Sequence, residues 1–338
     1  MSKAERRQQN WGKKLLKMTS IAVIIGLNGC SFQKHGQVAF AEDKPKVVAT
    51  HSLICHLVKT IAEDTLDLTC LIDSNQDPHT YRPTPSDLKA IEEAQLILYG
   101  GYELEPKIIE LLKENDAPVN QLAVYETVVT EPILSEHNHE EEHEHEEEHP
   151  TETPKKESEA PAADPHVWHN VENVVAMVEL LQSTLIQFNP TAVEVYLKNS
   201  VELTDKLWQL NAWIEEQIAT IPQGQKTLVT VHDSFNYYVE AYQFEDYKTL
   251  QGFSPQSSPT ASQLRELAIE IRQLGVPTIF AENTASDRVI RNVAQEAGVE
   301  LAPTKLSADG LGTTENYIDM MTNNTCAIVN GLGGKCNN

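Results

Sequence analysis

Leu203, Leu207, Leu210, Ile214 and Ile218 recur at spacings of four, three, four and four inside 190–221, a stretch with no Gly or Pro after its first residue. That stripe predicts one long amphipathic helix, a stiff connector and not a floppy linker. What flanks it decides the fold class. On its N-terminal side, Val47-Val48-Ala49-Thr50 reads as a buried strand and Leu53 to Glu63 as a helix with Leu53, Leu57 and Ile61 on one face. Thr69 to Ile72 is strand again, Ser86 to Ala94 a helix with Ser86 as its cap, and Leu96-Ile97-Leu98-Tyr99 a further strand. The alternation restarts beyond the long helix: strand Thr227 to Val231, helices Ser234 to Tyr242 and Ala261 to Leu274, strand Thr278 to Ala281, and a last helix over Asn316 to Val329. Strands alternating with helices imply parallel sheets. The expected fold is therefore α/β: two lobes with parallel β-sheets flanked by helices, bridged by one long rigid helix. Ligands of such sheets sit at the carboxyl ends of the strands, here in the interlobe cleft.

The boundaries follow. Residues 1–29 read as a lipoprotein signal peptide, 30–45 as an N-terminal tether, 46–190 as the first lobe, 191–221 as the connecting helix and 222–338 as the second lobe. The signal segment carries Lys3, Arg6, Arg7, Lys13, Lys14 and Lys17 against Glu5 alone, then the apolar MTSIAVIIGLNGC, too short to span a bilayer but right for export. Leu27-Asn28-Gly29-Cys30 resembles a lipobox, which makes Cys30 the lipid-bearing residue and places the chain in the periplasm or at the cell surface. The alternative is cleavage after Ala39-Phe40-Ala41 and a soluble periplasmic protein. The net charge is −24 even with the basic leader included, so a phosphate backbone is repelled and a cation is the natural partner. Setting Cys30 aside, Cys55, Cys70, Cys326 and Cys336 suit two disulfides in an oxidising compartment, with three possible connectivities. Closeness along the chain favours Cys55 with Cys70 and Cys326 with Cys336.

Three histidines fall where strands should end: His79 in NQDPHTYRPTPSDL, His166 in ADPHVWHN and His232 in VTVHDSF. The first two share Asp-Pro-His, in which Pro restricts the residue before it and fixes the approach of the His. One such His is usually a hydrogen-bonded structural residue; three at comparable places point to a metal. Glu282 in IFAENTAS and Asp309 in LSADGLG supply carboxylates at strand ends of the second lobe. Three imidazoles and one carboxylate oxygen make a donor set that four-coordinate Zn2+ accepts. A zinc hydrolase with Glu282 as its base is the rival class, but no HExxH helix, Walker loop, GxGxxG or GxSxG elbow is present, and an enzyme is not expected.

HTYRPTPSDLKAIEEAQLILYGG, DPHVWHN, VHDSF, LQGFSPQSSPTASQL and FAEN, with ADGLG near the end, resemble in their order the cluster A-I solute-binding proteins of ABC metal importers, and most closely the zinc-binding members. The resemblance runs from Lys46 to Leu332. It implies metal held between the lobes and passed to an ABC permease driven by its ATPase. The chain is expected to act as a monomer that meets the membrane only through the lipid on Cys30 and, given its acidic charge, to bind no nucleic acid. Carried over by motif, His79 and His166 match the first-lobe ligands and His232 the second-lobe one. Asp309 stands where members with a protein-supplied fourth ligand have Asp; some zinc members leave that place to water or another carboxylate, which keeps Glu282 as the second candidate. His169 stands where the family more often has an apolar residue and is a possible further ligand, whereas His51 and His56 read as structural or surface residues. Manganese members resemble this layout but carry Glu in place of His232, so a manganese-binding protein is the alternative within the family.

Between the two Asp-Pro-His motifs, within 131–163, lies EHNHEEEHEHEEEH, Glu136 to His149, in which eight residues are Glu and five are His. No apolar face exists there to bury, so composition predicts a solvated segment without a fold of its own. His137, His139, His143, His145 and His149 would bind zinc weakly, as a low-affinity collector. Zinc members of the family resemble this chain in carrying such a run.

Overall fold

The computed structural model describes residues 44–114, 119–134, 162–252 and 260–337. Cys30, the Ala39–Ala41 site and the five histidines of 137–149 lie outside the described residues. The first lobe opens with β1 (Lys46–Ala49), α1 (Ser52–Ala62), β2 (Asp67–Cys70), α2 (Pro85–Glu93), β3 (Leu96–Tyr99), α3 (Pro106–Glu114), β4 (Asn120–Ala123) and α4 (Val124–Val128). Two long helices follow, α5 (Val171–Phe188) and α6 (Val193–Ile218). The second lobe contains β5 (Thr227–His232), α7 (Asn236–Ala241), β6 (Asp246–Gln251), α8 (Ala261–Leu274), β7 (Thr278–Ile279), α9 (Asp287–Ala297), β8 (Glu300–Leu301) and α10 (Tyr317–Gly331).

In the first lobe the sheet order is β2-β1-β3-β4, every pair parallel, with Val48 opposite Thr69 on one side and Ile97 on the other. β1 is buried on both faces, as a central parallel strand must be. Val47, Ala49, Leu96 and Leu98 pack with α1, α5 and α6, while Val48 and Ile97 face Ile91 of α2 and Ile108 and Leu112 of α3. In the second lobe β5 pairs with β6 and β7 with β8, again in parallel, and Phe280 N donates to Val229 O at 2.9 Å, so the strands run β6-β5-β7-β8.

At 26 residues α6 is about 39 Å long. Its apolar stripe, Leu203, Leu207, Leu210, Ile214 and Ile218, is buried, and the helix packs against α1 of the first lobe and α10 of the second. Asp43–Asn338 accordingly form one compact unit, and a single apolar core runs from Leu53 and Leu57 through the α6 stripe to Leu228, Ile279 and Ile328. α5 lies against α6 as well, so the bridge is a helix pair whose second member crosses between the lobes.

Several ends differ from those the sequence suggests. α2 is capped by Thr84 and not Ser86: Thr84 accepts from Asp87 N while the Asp87 carboxylate accepts from Thr84 N, a full capping box with Pro85 just inside it. α6 begins at Val193 because Pro190–Ala192 form a separate 3-10 turn. α8 and α9 end on Gly275 (φ 67) and Gly298 (φ 74), in the left-handed region open to glycine. The two disulfides pair Cys55 with Cys70 and Cys326 with Cys336, at Cα separations of 5.7 and 5.1 Å. Among the described residues no helix is long and apolar enough to cross a membrane.

Candidate metal centre

His79 lies in the connection between β2 and α2, and His166 just before a 3-10 turn at Val167–His169 that leads into α5. The Asp-Pro-His repeat is one local device used twice. Asp77 Oδ1 accepts from His79 N at 2.8 Å, and Asp164 Oδ1 accepts from His166 N at 2.9 Å. Each is an Asx turn that swings the histidine over the sheet edge, with Pro holding the middle residue. His232 is the last residue of β5, and Asp309 belongs to the connection from β8 to α10.

These four side chains converge. His79 Nε2 is 3.2 Å from His166 Nε2, and Asp309 Oδ1 is 3.5 Å from His79 Nε2, 3.3 Å from His166 Nε2 and 3.0 Å from His232 Nε2. One donor atom from each lies within 4.8 Å of every other. All four residues are at most 5% exposed, so the expected cleft is closed over its donors. A groove in the second lobe lined by Thr278, Ala302, Asn324 and Asn330 lies elsewhere and includes none of them.

Behind the donors stands a ring of hydrogen bonds that the motifs do not announce. Asp164 Oδ1 accepts from His166 Nδ1 at 2.7 Å, and Asn236 Nδ2 ties Asp164 to Asp233 at 3.1 and 2.8 Å. Glu282 Oε1 accepts from Val231 N at 2.9 Å and His232 N at 3.1 Å, and its Oε2 accepts from His232 Nδ1. A carboxylate on Nδ1 fixes the tautomer that aims a bare Nε2 forward. Glu282 thus sits behind His232, with its oxygens committed to the backbone and the imidazole, and is not among the converging atoms. Thr284 Oγ1 donates to Asp309 Oδ2, which leaves Oδ1 as the oxygen facing the imidazoles.

Burial opposes charge on His232, but Asp309 and Glu282 overcome it and hold the imidazole well above its ordinary range. Burial likewise opposes ionisation of Asp309, yet His232 and His166 hold the carboxyl well below the usual carboxylate range. The centre therefore favours a positive charge among its donors.

His169 points away from the cluster, its Nε2 donating to Ala308 O at 2.9 Å and its ring stacked on Phe235 at 4.3 Å. Burial, then the neighbouring His166, lowers its pKa to about 3. His51, read from the sequence as structural or superficial, is fully buried beside the centre: Nε2 donates to Asp309 O at 2.9 Å, and Nδ1 accepts from Tyr125 Oη at 2.6 Å. Burial lowers its pKa to about 4. His56 is only partly buried, on α1.

Residues 47–331 match the profile of the ZnuA family, described as zinc-uptake complex component A, periplasmic. The manganese-binding lipoprotein MntA of Halalkalibacterium halodurans is 27% identical over 308 residues, covering 90% of this chain and 93% of the relative. The manganese ABC transporter substrate-binding lipoprotein PsaA of Streptococcus pneumoniae is 30% identical over 329 residues, covering 94% and 97%. The periplasmic zinc-binding protein TroA of Treponema pallidum superposes with a TM-score of 0.74 at 28% identity, covering 86% of this chain and 99% of that one. Buried imidazoles and a carboxylate gathered between two parallel-sheet lobes accord with that kinship, and the chain belongs to the ZnuA family of metal-binding receptors of ABC transporters.

Proposed function

We propose that this protein captures Zn2+ outside the cytoplasmic membrane, at the periplasmic face or cell surface, and delivers it to the permease of an ABC importer powered by its ATPase. The observation that carries the reading is the donor set: His79, His166 and His232 Nε2 with Asp309 Oδ1, separated by 3.0–3.5 Å where they adjoin. Tetrahedral bonds of about 2.0–2.1 Å put neighbouring donors about 3.3 Å apart. Three nitrogens and one oxygen suit zinc better than manganese, which prefers oxygen. The Asp309–Thr284 bond supports the same choice, since a carboxylate engaged at Oδ2 offers a cation one oxygen. No residue is assigned to catalysis: Glu282, the sequence's candidate base, accepts two backbone N–H groups and the His232 proton.

Cys30 carries the lipid anchor in this reading, and the histidines of 137–149 collect zinc weakly. The protein acts as a monomer. A manganese receptor is the second reading, favoured by the names of the MntA and PsaA relatives. Metal analysis of purified protein, followed by competition between Zn2+ and Mn2+ at equal free concentration, decides between them. One tightly held zinc that manganese does not displace is expected; displacement by manganese overturns the zinc reading, and turnover of ester or amide substrates overturns the receptor reading.

A further inference from the structure

The Asp309 carboxylate belongs to the second lobe and must be presented to two imidazoles of the first, yet it sits in the irregular connection 302–316. Two consecutive carbonyls of that connection are gripped from the other lobe. Ala308 O accepts from His169 Nε2 at 2.9 Å and Asp309 O from His51 Nε2 at 2.9 Å. The grip continues along the chain: a Cβ on Gly310 would lie 2.9 Å from Ser52 Oγ and 3.0 Å from Ser74 O, and Gly312 N donates to Ser74 O at 3.0 Å. Both histidines are held in turn, His51 by Tyr125 Oη and by Trp168 at 4.8 Å between ring centroids, His169 by its stacking on Phe235.

We propose that His51 and His169 form a latch across the lobes that fixes the Ala308–Asp309 backbone, so that the Asp309 carboxylate stands among the imidazoles before a cation arrives. They are positioning residues; neither ring nitrogen joins the donor cluster. The latch explains why two imidazoles that bind no metal are buried beside it. An N–H from each lobe-one histidine to a carbonyl aligns the peptide planes on both sides of the Asp309 Cα, and Thr284 then sets the carboxylate. Such a site gives up little chain freedom on binding, so the cation is held longer. The proposal deepens the zinc-receptor reading and rests on it for the identity of the cargo alone.

The test uses the full chain, parent and variants, stripped of metal and checked for folding by circular dichroism. His51→Phe and His169→Phe keep a ring without the N–H; His51→Gln and His169→Gln return a donor near the Nε2 position. Gly310→Ala disturbs the seat without touching either histidine, and serves if a Phe variant fails to fold. Hydrogen exchange of peptides covering 306–316 is read first, then zinc release into excess chelator by stopped flow. In the Phe and Ala variants exchange and zinc release are each expected to quicken by about tenfold, the lower end for residues that orient metal ligands, with partial rescue by Gln. Unchanged exchange in the variants, or lost protection with unaltered zinc release, overturns the latch. If the parent binds no zinc tightly, the receptor reading fails, while the exchange comparison on metal-free protein still decides whether the latch exists.

Discussion

Glu282→Gln changes one atom of a fully buried residue and leaves every converging donor in place. Its consequence can be worked from the hydrogen bonds. If the amide oxygen keeps the bonds from Val231 N and His232 N, the amide NH2 faces His232 Nδ1. That nitrogen must then accept, and the imidazole proton moves to Nε2, the atom offered to the cation. If the amide turns over, Nδ1 keeps its acceptor but the NH2 meets two buried backbone N–H groups, at about 1–3 kcal/mol for each group left unpaired. The first arrangement costs affinity and the second costs stability, so the protein adopts the first. Removing such a carboxylate weakens metal binding by about 10–100-fold, equivalent to about 1.4–2.8 kcal/mol. Competitive titration against a chromophoric chelator near neutral pH measures it, with urea unfolding alongside to exclude a folding defect. Zinc affinity within about twofold of the parent would sink the tautomer argument, given the usual size of the effect. A loss beyond about 10,000-fold, far above that range, would instead make Glu282 itself a ligand.

Glu105 is buried with its Oε1 bonded to Thr50 Oγ1 at 2.5 Å and Gly100 N at 2.7 Å, its Oε2 without a partner among the described residues, and burial raises its pKa to about 7. The folded chain therefore holds a proton here that the unfolded chain has released above pH 4.5, so the contribution of Glu105 to stability falls by about 3 kcal/mol as pH rises from about 4.5 through about 7, while the lowered pKa values of His51 and His169 contribute in the opposite direction. In urea unfolding Glu105→Gln should gain on the parent by about 3 kcal/mol across the same range; a difference between the two that does not change with pH refutes it. Replacing Cys55 and Cys70 together by Ser opens a loop of sequence separation 15 and should cost about 3 kcal/mol in urea unfolding, without changing zinc stoichiometry. Deleting 136–149 removes five imidazoles but none of the four converging residues. Calorimetric titration should keep one tight zinc site and lose the weak ones, and equal total stoichiometry would reduce the segment to a linker.

The parallel α/β pattern and the long helix are legible in the chain because both rest on local periodicity. The α6 stripe at i, i+4 and i+7 has one way to be buried, and a β1 apolar at three successive positions, Val47, Val48 and Ala49, needs cover on both faces. Element ends were less legible. Thr84 takes the cap from Ser86 because Asp87, and not Lys89, can return the second hydrogen bond. α5 is buried on Val174, Val175, Met177, Val178 and Leu181, a band too broad to give a clean period.

The chemistry-bearing residues divide in the same way. Repetition of Asp-Pro-His and the placing of His232 at a strand end mark three imidazoles, because an Asx turn and a strand terminus are set by neighbours in sequence. The carboxylates are not so marked. Asp309 faces the imidazoles while Glu282 stands behind His232, and that choice depends on how β5 and β7 lie side by side, with Phe280 N on Val229 O. His51 and His169 look alike in sequence to the histidines that converge, and only the docking of one lobe's carbonyls on the other lobe's N–H groups separates them. Sequence by itself determined which residues could donate to a metal, since donor chemistry belongs to the side chain. Tertiary structure decided which of them meet, because every distance between the donors joins residues at least 66 positions apart, a separation over which local propensity has no hold.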